Sequence, residues 1–132
     1  LRNKNRILEG VVIEDIATNG KGVGRHEGKV VFVPKAIPGD VLDLRVIKNK
    51  ADLMEAKTLR VVKPSEDRGE AFCSHFGICG GCPIQNVRYE KQLSYKEKMV
   101  EDAFKRIAKH EAGEFMPITP SQKTKYFRKA RR

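Results

Sequence analysis

No run of about eighteen apolar residues occurs in the 132-residue chain, so no segment has the length of a transmembrane helix. The basic N-terminus, Leu1-Arg2-Asn3-Lys4-Asn5-Arg6, lacks the apolar stretch that a secretory signal carries next. Cysteine is scarce and odd in number, at three, which argues against a disulfide framework. These absences point to a reducing, cytoplasmic compartment. No internal repeat or low-complexity segment appears. Acidic residues are also in deficit, 17 against 27 basic, for a net charge of +10 and a pI near 9.7. Solubility is the plainer account of such a balance. The functional account is a polyanionic partner, since an excess of this size is the usual electrostatic footprint of a nucleic-acid binder.

What cysteine there is lies in one block, Cys73-Ser74-His75-Phe76-Gly77-Ile78-Cys79-Gly80-Gly81-Cys82, spaced Cys-x5-Cys-x2-Cys. Thiolates are soft ligands that select zinc or iron–sulfur centres over magnesium or calcium. Gly80 and Gly81 can adopt positive φ and leave backbone N–H groups free to point at sulfur, and Pro83 keeps the turn from running on into a helix. Inert buried thiols would have no reason to cluster around Gly-Gly. Zinc and a [4Fe–4S] cluster both take four ligands, and three cysteines are present. His75 could complete a Cys3His zinc set; the plainer inference is that the fourth ligand lies beyond Arg132. Cysteines 73, 79 and 82 are expected to converge on one point.

Ahead of that block, Ile7 to Lys63 read as a small all-β unit. Asn19-Gly20, Glu27-Gly28, Pro38-Gly39-Asp40 and Asn49-Lys50-Ala51-Asp52 are turn signals. Between them, Lys29-Val30-Val31-Phe32-Val33 is a strand with Phe32 expected in the core. Leu42, Leu44 and Val46 alternate with Asp43, Arg45 and Ile47 as in a half-buried strand. Five short strands at this spacing predict a small antiparallel barrel, in a chain that is mostly β with one long helix. After a polar linker and the cysteine block, a helix is expected from an Asn86 N-cap, with Glu90 in its first turn and Gly113 at its C′ position. Leu93, Met99, Val100, Ala103, Phe104, Ile107 and Ala108 form its apolar stripe, read as core packing. Glu101–Lys105 and Asp102–Arg106 would add i,i+4 pairs. The last twelve residues include six basic groups and no acidic one, with Tyr126 and Phe127 among them, a composition suited to a solvated tail or to an RNA-contacting edge.

Gly20-Lys21-Gly22-Val23-Gly24-Arg25, then Gly28-Lys29-Val30-Val31-Phe32-Val33-Pro34 and Pro38-Gly39-Asp40, resemble the TRAM domain, an OB-like RNA-binding barrel, over residues 5–63. With the Cys-x5-Cys-Gly-Gly-Cys-Pro block and the Tyr89-Glu90-x-Gln92-Leu93-x-x-Lys96 helix, the chain resembles the N-terminal part of the RNA (uracil-5-)-methyltransferase family, 23S rRNA type. The resemblance implies that Cys73, Cys79 and Cys82, with a fourth cysteine further along, hold a [4Fe–4S] cluster. It also implies a later S-adenosylmethionine-binding domain in which a cysteine attacks C6 of uracil and a carboxylate helps remove the C5 proton. No glycine-rich fingerprint for a methyl donor is present, so the chain alone is expected to be inactive. Tyr126 to Ala130 resemble the family's entry into its central region, with Phe127 departing from the usual basic residue.

The resulting division is a TRAM-like barrel at 5–63, a cysteine loop and helix at 64–112, and the start of a central region at 113–132. Lys21, Arg25, Lys29 and Lys35, with Lys125, Arg128 and Lys129, are the expected phosphate contacts on RNA, most naturally 23S rRNA. No membrane association and no obligate protein partner is evident. The competing reading is a free-standing basic RNA-binding module with a zinc site. A radical methylthiotransferase is disfavoured, since those enzymes use a tighter Cys-x3-Cys-x2-Cys loop and carry TRAM at the other end.

Overall fold

A computed structural model describes residues 5–109 and 113–121. Five strands, β1 (Ile7–Ile16), β2 (Gly22–His26), β3 (Lys29–Val33), β4 (Val41–Asn49) and β5 (Leu53–Lys63), close into a barrel in the order β1-β2-β3-β5-β4. The period-two patterning explains the strands. Along β4, Leu42, Leu44 and Val46 are buried and their neighbours are not, as a pleated strand with one covered face requires. With Leu8, Val11, Ile13, Val31, Val33, Ala36, Met54 and Ala56 they form one core cluster.

Neighbouring strands run antiparallel except β3 and β5, which pair parallel from Val30↔Leu53 to Phe32↔Glu55 and so close the barrel. The β2–β3 hairpin turns on Glu27 and Gly28, both at positive φ (49° and 77°), the primed turn whose twist suits a two-residue connection. Phe32 falls on the outer face between buried Val31 and Val33 and is only half-buried, so it is not the core residue its apolarity suggests.

The chain leaves β5 through a knot around Asp40, whose carboxylate is wholly buried. It accepts hydrogen bonds from the amides of Ile37 (2.9 Å) and Ser65 (2.8 Å), and from Arg68 Nε (2.8 Å) and a terminal guanidinium nitrogen (2.6 Å). Ser65 Oγ donates to the Pro38 carbonyl at 2.6 Å and accepts from the Asp67 amide. The segment beyond is thereby held against the β3–β4 turn. Gly69 N then donates to Asn86 O and Arg88 N to Asp67 O, bracketing the cysteine block with a short bridge between Arg68 and Val87.

The one described helix, α1 (Tyr89–Arg106), starts and stops elsewhere than expected. Arg88 is its N-cap and makes no side-chain cap. Asn86 is buried and spends its amide on the Lys35 carbonyl (2.9 Å), a tertiary bond that takes it out of the capping role. The helix ends seven residues before Gly113, which therefore is not its C′ glycine. Asp102 pairs with Lys98 at 3.1 Å, one turn earlier than anticipated. No residue of α1 is buried: Val100 and Phe104 are half-exposed, and Ile107 just beyond is 83% exposed. Among the described residues the apolar stripe is thus not core. Lys98 reaches Asp15 of β1, and Tyr95 Oη donates to Asp67 at 2.6 Å. Burial and that carboxylate push the Tyr95 phenol well up, keeping it a neutral donor.

The Asp40 knot yields a stability prediction. Asp40→Ala should lower unfolding free energy by about 3–5 kcal/mol, because it strands the Arg68 guanidinium and two amides. Urea titration should show a lower midpoint at unchanged slope. A loss below about 1 kcal/mol would mean the knot contributes nothing beyond solvation.

Candidate functional site

The cysteine block lies on the side of the barrel that carries the Asn19-Gly20 turn and the β3–β4 connection, and three contacts seat it there. Gly20 (φ 83°) presses on Pro83 so closely that a Cβ at Gly20 would stand 2.5 Å from Pro83 Cβ. Lys35, itself at positive φ (61°), sends its ammonium to the Gly77 carbonyl at 3.4 Å and lies 5.9 Å from the centre of the Phe76 ring. The third contact is the Asn86–Lys35 bond. Inside the loop, the Cys73 amide donates to Gln85 Oε1, and the His75 carbonyl accepts from the amides of Ile78 and Cys79. Gly77 and Gly80 take positive φ (88° and 70°); of the Gly80-Gly81 pair expected to be able to do so, Gly80 does and Gly81 does not.

All three thiols are free; Cys73 and Cys82 are half-buried and Cys79 is exposed. Among the described residues no three Cys, His, Asp or Glu side chains come together closely enough to hold a metal ion. The match to a metal group is one of donor chemistry: three soft thiols on one glycine-hinged loop, none spent on a disulfide. His75 is exposed beside Ser74 Oγ (3.4 Å) and joins no ligand set.

The expected phosphate contacts differ in what already engages them. Lys21 is half-exposed beside the Gly20 turn, and Arg25 is exposed across from Glu14 at 3.8 Å. Lys29 is committed to Asn49 Oδ1 (2.8 Å) and the Lys50 carbonyl (2.9 Å), bonds that brace the β4–β5 turn, and Lys35 is committed to the cysteine loop. Lys125, Arg128 and Lys129 lie outside the described residues. The outer face of β4 and β5, passed over in the sequence reading, carries Arg45, Lys48, Lys57, Arg60 and Lys63, with Leu59, Val61 and Val62 about half-exposed. The signal was available: β5 stops alternating after Ala56 and turns basic and largely β-branched.

Residues 8–59, which span most of the barrel, match the TRAM domain model. Over most of its length the chain is related to proteins named as RNA methyltransferases. One from Nitratidesulfovibrio vulgaris, named an uncharacterized RNA methyltransferase, is 42% identical over 124 residues, covering 94% of this chain and 26% of that protein. The 23S rRNA (uracil(1939)-C(5))-methyltransferase RlmD of Azoarcus sp. is 38% identical over 102 residues, or 77% of this chain and 24% of that one. Among solved structures, the tRNA (uracil-54, C5)-methyltransferase of Pyrococcus abyssi in complex with S-adenosyl-L-homocysteine matches with a TM-score of 0.48 and 25% identity. That match covers 71% of this chain and 21% of the other. The chain spans about a quarter of the length of the curated relatives it matches.

If the loop is seated by Gly20 against Pro83, Gly20→Ala should cost roughly 1–3 kcal/mol more than Gly10→Ala. Gly10 shares the positive φ (63°) but has no neighbouring atom within 4 Å of a built Cβ, so it isolates the backbone contribution. Limited proteolysis should cut residues 70–85 of the Gly20 variant faster than those of the Gly10 variant. Equal cutting would show that the loop does not depend on this contact.

Proposed function

We propose that this chain is the RNA-binding part of an S-adenosylmethionine-dependent 23S rRNA (uracil-C5)-methyltransferase. In this reading Cys73, Cys79 and Cys82 supply three thiolates to a [4Fe–4S] cluster. The fourth ligand, the methyl-donor site, the nucleophile and the base belong to the remainder of the parent protein. The observation that carries the reading is the continuity of the match: the relatedness to RNA methyltransferases runs over 94% of the chain, through the barrel and the cysteine block alike. The bound cluster would order the loop and present it to RNA, since methyl transfer to uracil requires no electron.

The chain's own residues account for the binding half of that role. A net charge of +10 draws the chain to a polyanion, and the exposed cations of β4 and β5 lie close to half-exposed aliphatic side chains. Such a surface holds phosphates while leaving bases to aromatic or apolar contacts. The free-standing zinc module has no support in the relatedness of the chain, which runs to RNA methyltransferases about four times its length.

Two measurements test the reading. Binding of the chain to a single-stranded or looped RNA, followed by fluorescence anisotropy, should weaken by roughly 0.7 log units per log unit of salt for each phosphate neutralised. Salt-independent binding would remove the electrostatic basis of the proposal. Anaerobic reconstitution with iron and sulfide should give a broad visible charge-transfer absorption that is lost when any one of the three cysteines is changed to Ala. Tight retention of one zinc with no uptake of iron would refute the cluster.

A further inference from the structure

Between Glu70 and Arg88 the sequence has no lysine, arginine, aspartate or glutamate, so the cysteine loop carries no cation of its own to set against its thiolates. Lys35, in the connection from β3 to β4, brings one to it and holds the loop twice. Its backbone carbonyl accepts the Asn86 amide at 2.9 Å, four residues past Cys82. Its ammonium meets the Gly77 carbonyl at 3.4 Å, two residues before Cys79, and stands 5.9 Å from the centre of the Phe76 ring. Cys79 and Cys82 therefore lie between two grips supplied by a single barrel residue.

We infer that Lys35 is a positioning residue for the cysteine centre: it seats the loop ahead of the cluster and offsets the negative charge of the bound cluster. The inference rests on the cluster reading and deepens it. An iron–sulfur cluster held by thiolates is an anion, and its retention and reduction potential respond to nearby charge and hydrogen bonds. Two residues of extended chain reach about 7 Å. The turn at Gly77 contracts that span, because the Ile78 and Cys79 amides both donate to the His75 carbonyl at 3.0 Å. The Lys35 ammonium on the Gly77 carbonyl thus lies within about a Debye length of Cys79 at 0.1 M salt, close enough for the two charges to stay coupled.

The backbone on both sides of the contact is shaped to this use. Lys35 takes a left-handed φ of 61°, which glycine or asparagine adopts more readily, but neither of those carries a cation. Gly77 has φ 88°, and a Cβ there would collide with the Lys35 ammonium, so the smallest residue stands where the barrel cation approaches the loop. A phosphate of RNA is the competing use of this ammonium, and the Gly77 carbonyl and the Phe76 face already engage it.

The experiment uses the full-length parent protein, reconstituted anaerobically with iron and sulfide. Lys35→Gln keeps the backbone carbonyl that binds Asn86 and removes the charge. It should release iron to a chelator about tenfold faster than the parent, and its cluster should have a more negative reduction potential. Lys35→Arg should restore both. Lys57→Gln, which removes the same charge from the exposed stretch of β5, should change neither. Before iron is added, limited proteolysis should cut residues 70–85 of Lys35→Gln faster than those of the parent. Parent-like iron release, potential or cutting in Lys35→Gln would overturn the inference while leaving the cluster in place. So would equal shifts in Lys57→Gln, or failure of Lys35→Arg to restore them. Failure of the parent to take up iron would overturn both.

Discussion

A carboxylate with no exposure to solvent decides how the second half of this chain meets the first. Asp40 sits in the turn between β3 and β4, and an ionised group there is tolerable only if its oxygens are fully satisfied. The two amides and the forked guanidinium of Arg68 do so, and three of those four bonds come from residues beyond the barrel. Satisfying the charge therefore requires the linker to return. Once Ser65 and Arg68 are fixed, Asp67 and Gly69 are positioned to take Arg88 and Asn86, and the cysteine loop is closed at its base. A polar requirement inside the barrel thus places a loop on its surface.

The loop and the barrel share functional consequences through that arrangement. Lys35 illustrates them: its carbonyl holds Asn86 and its ammonium holds Gly77, so a cation that would serve a phosphate serves the loop instead. Lys29 is likewise engaged in bracing a turn. Exposed cations also lie on β4 and β5, where Arg60 pairs with Asp43 at 3.0 Å and Lys48 with Glu55 at 3.8 Å. The half-exposed apolar face of α1, with Phe104 and Phe115 in an edge-to-face contact at 5.6 Å, makes the helix the described element least supported by its own packing.

The barrel was legible because strand alternation and turn chemistry are local: Leu42, Leu44 and Val46, and the Asn19-Gly20 and Glu27-Gly28 steps, announce themselves within a few residues. The parallel closure of β3 on β5 was not, since register between distant strands leaves no local mark. Asn86 looked like a cap and proved to be a tertiary donor, because a short polar side chain serves either purpose and only three-dimensional context chooses. Phe32 and the α1 stripe misled for a related reason. Apolarity reports that a surface wants cover, not that this segment supplies it. The cysteine spacing named the donor chemistry, while the seating of the loop depended on Gly20, Lys35 and Asp40, more than thirty residues upstream, where the Asn19-Gly20 and Pro38-Gly39-Asp40 turns marked a change of chain direction and not a contact.

The central claim is that the barrel and the cysteine segment are one cooperative unit joined through Asp40. Native-state hydrogen exchange on the intact chain tests it most directly. The amides of Ser65, Gly69 and Arg88 should exchange with the same opening free energy, and the same denaturant dependence, as core amides of β4 such as Leu44 and Val46. Exchange of the three linker amides through a low-energy local opening, with the β4 amides still protected, would contradict the account.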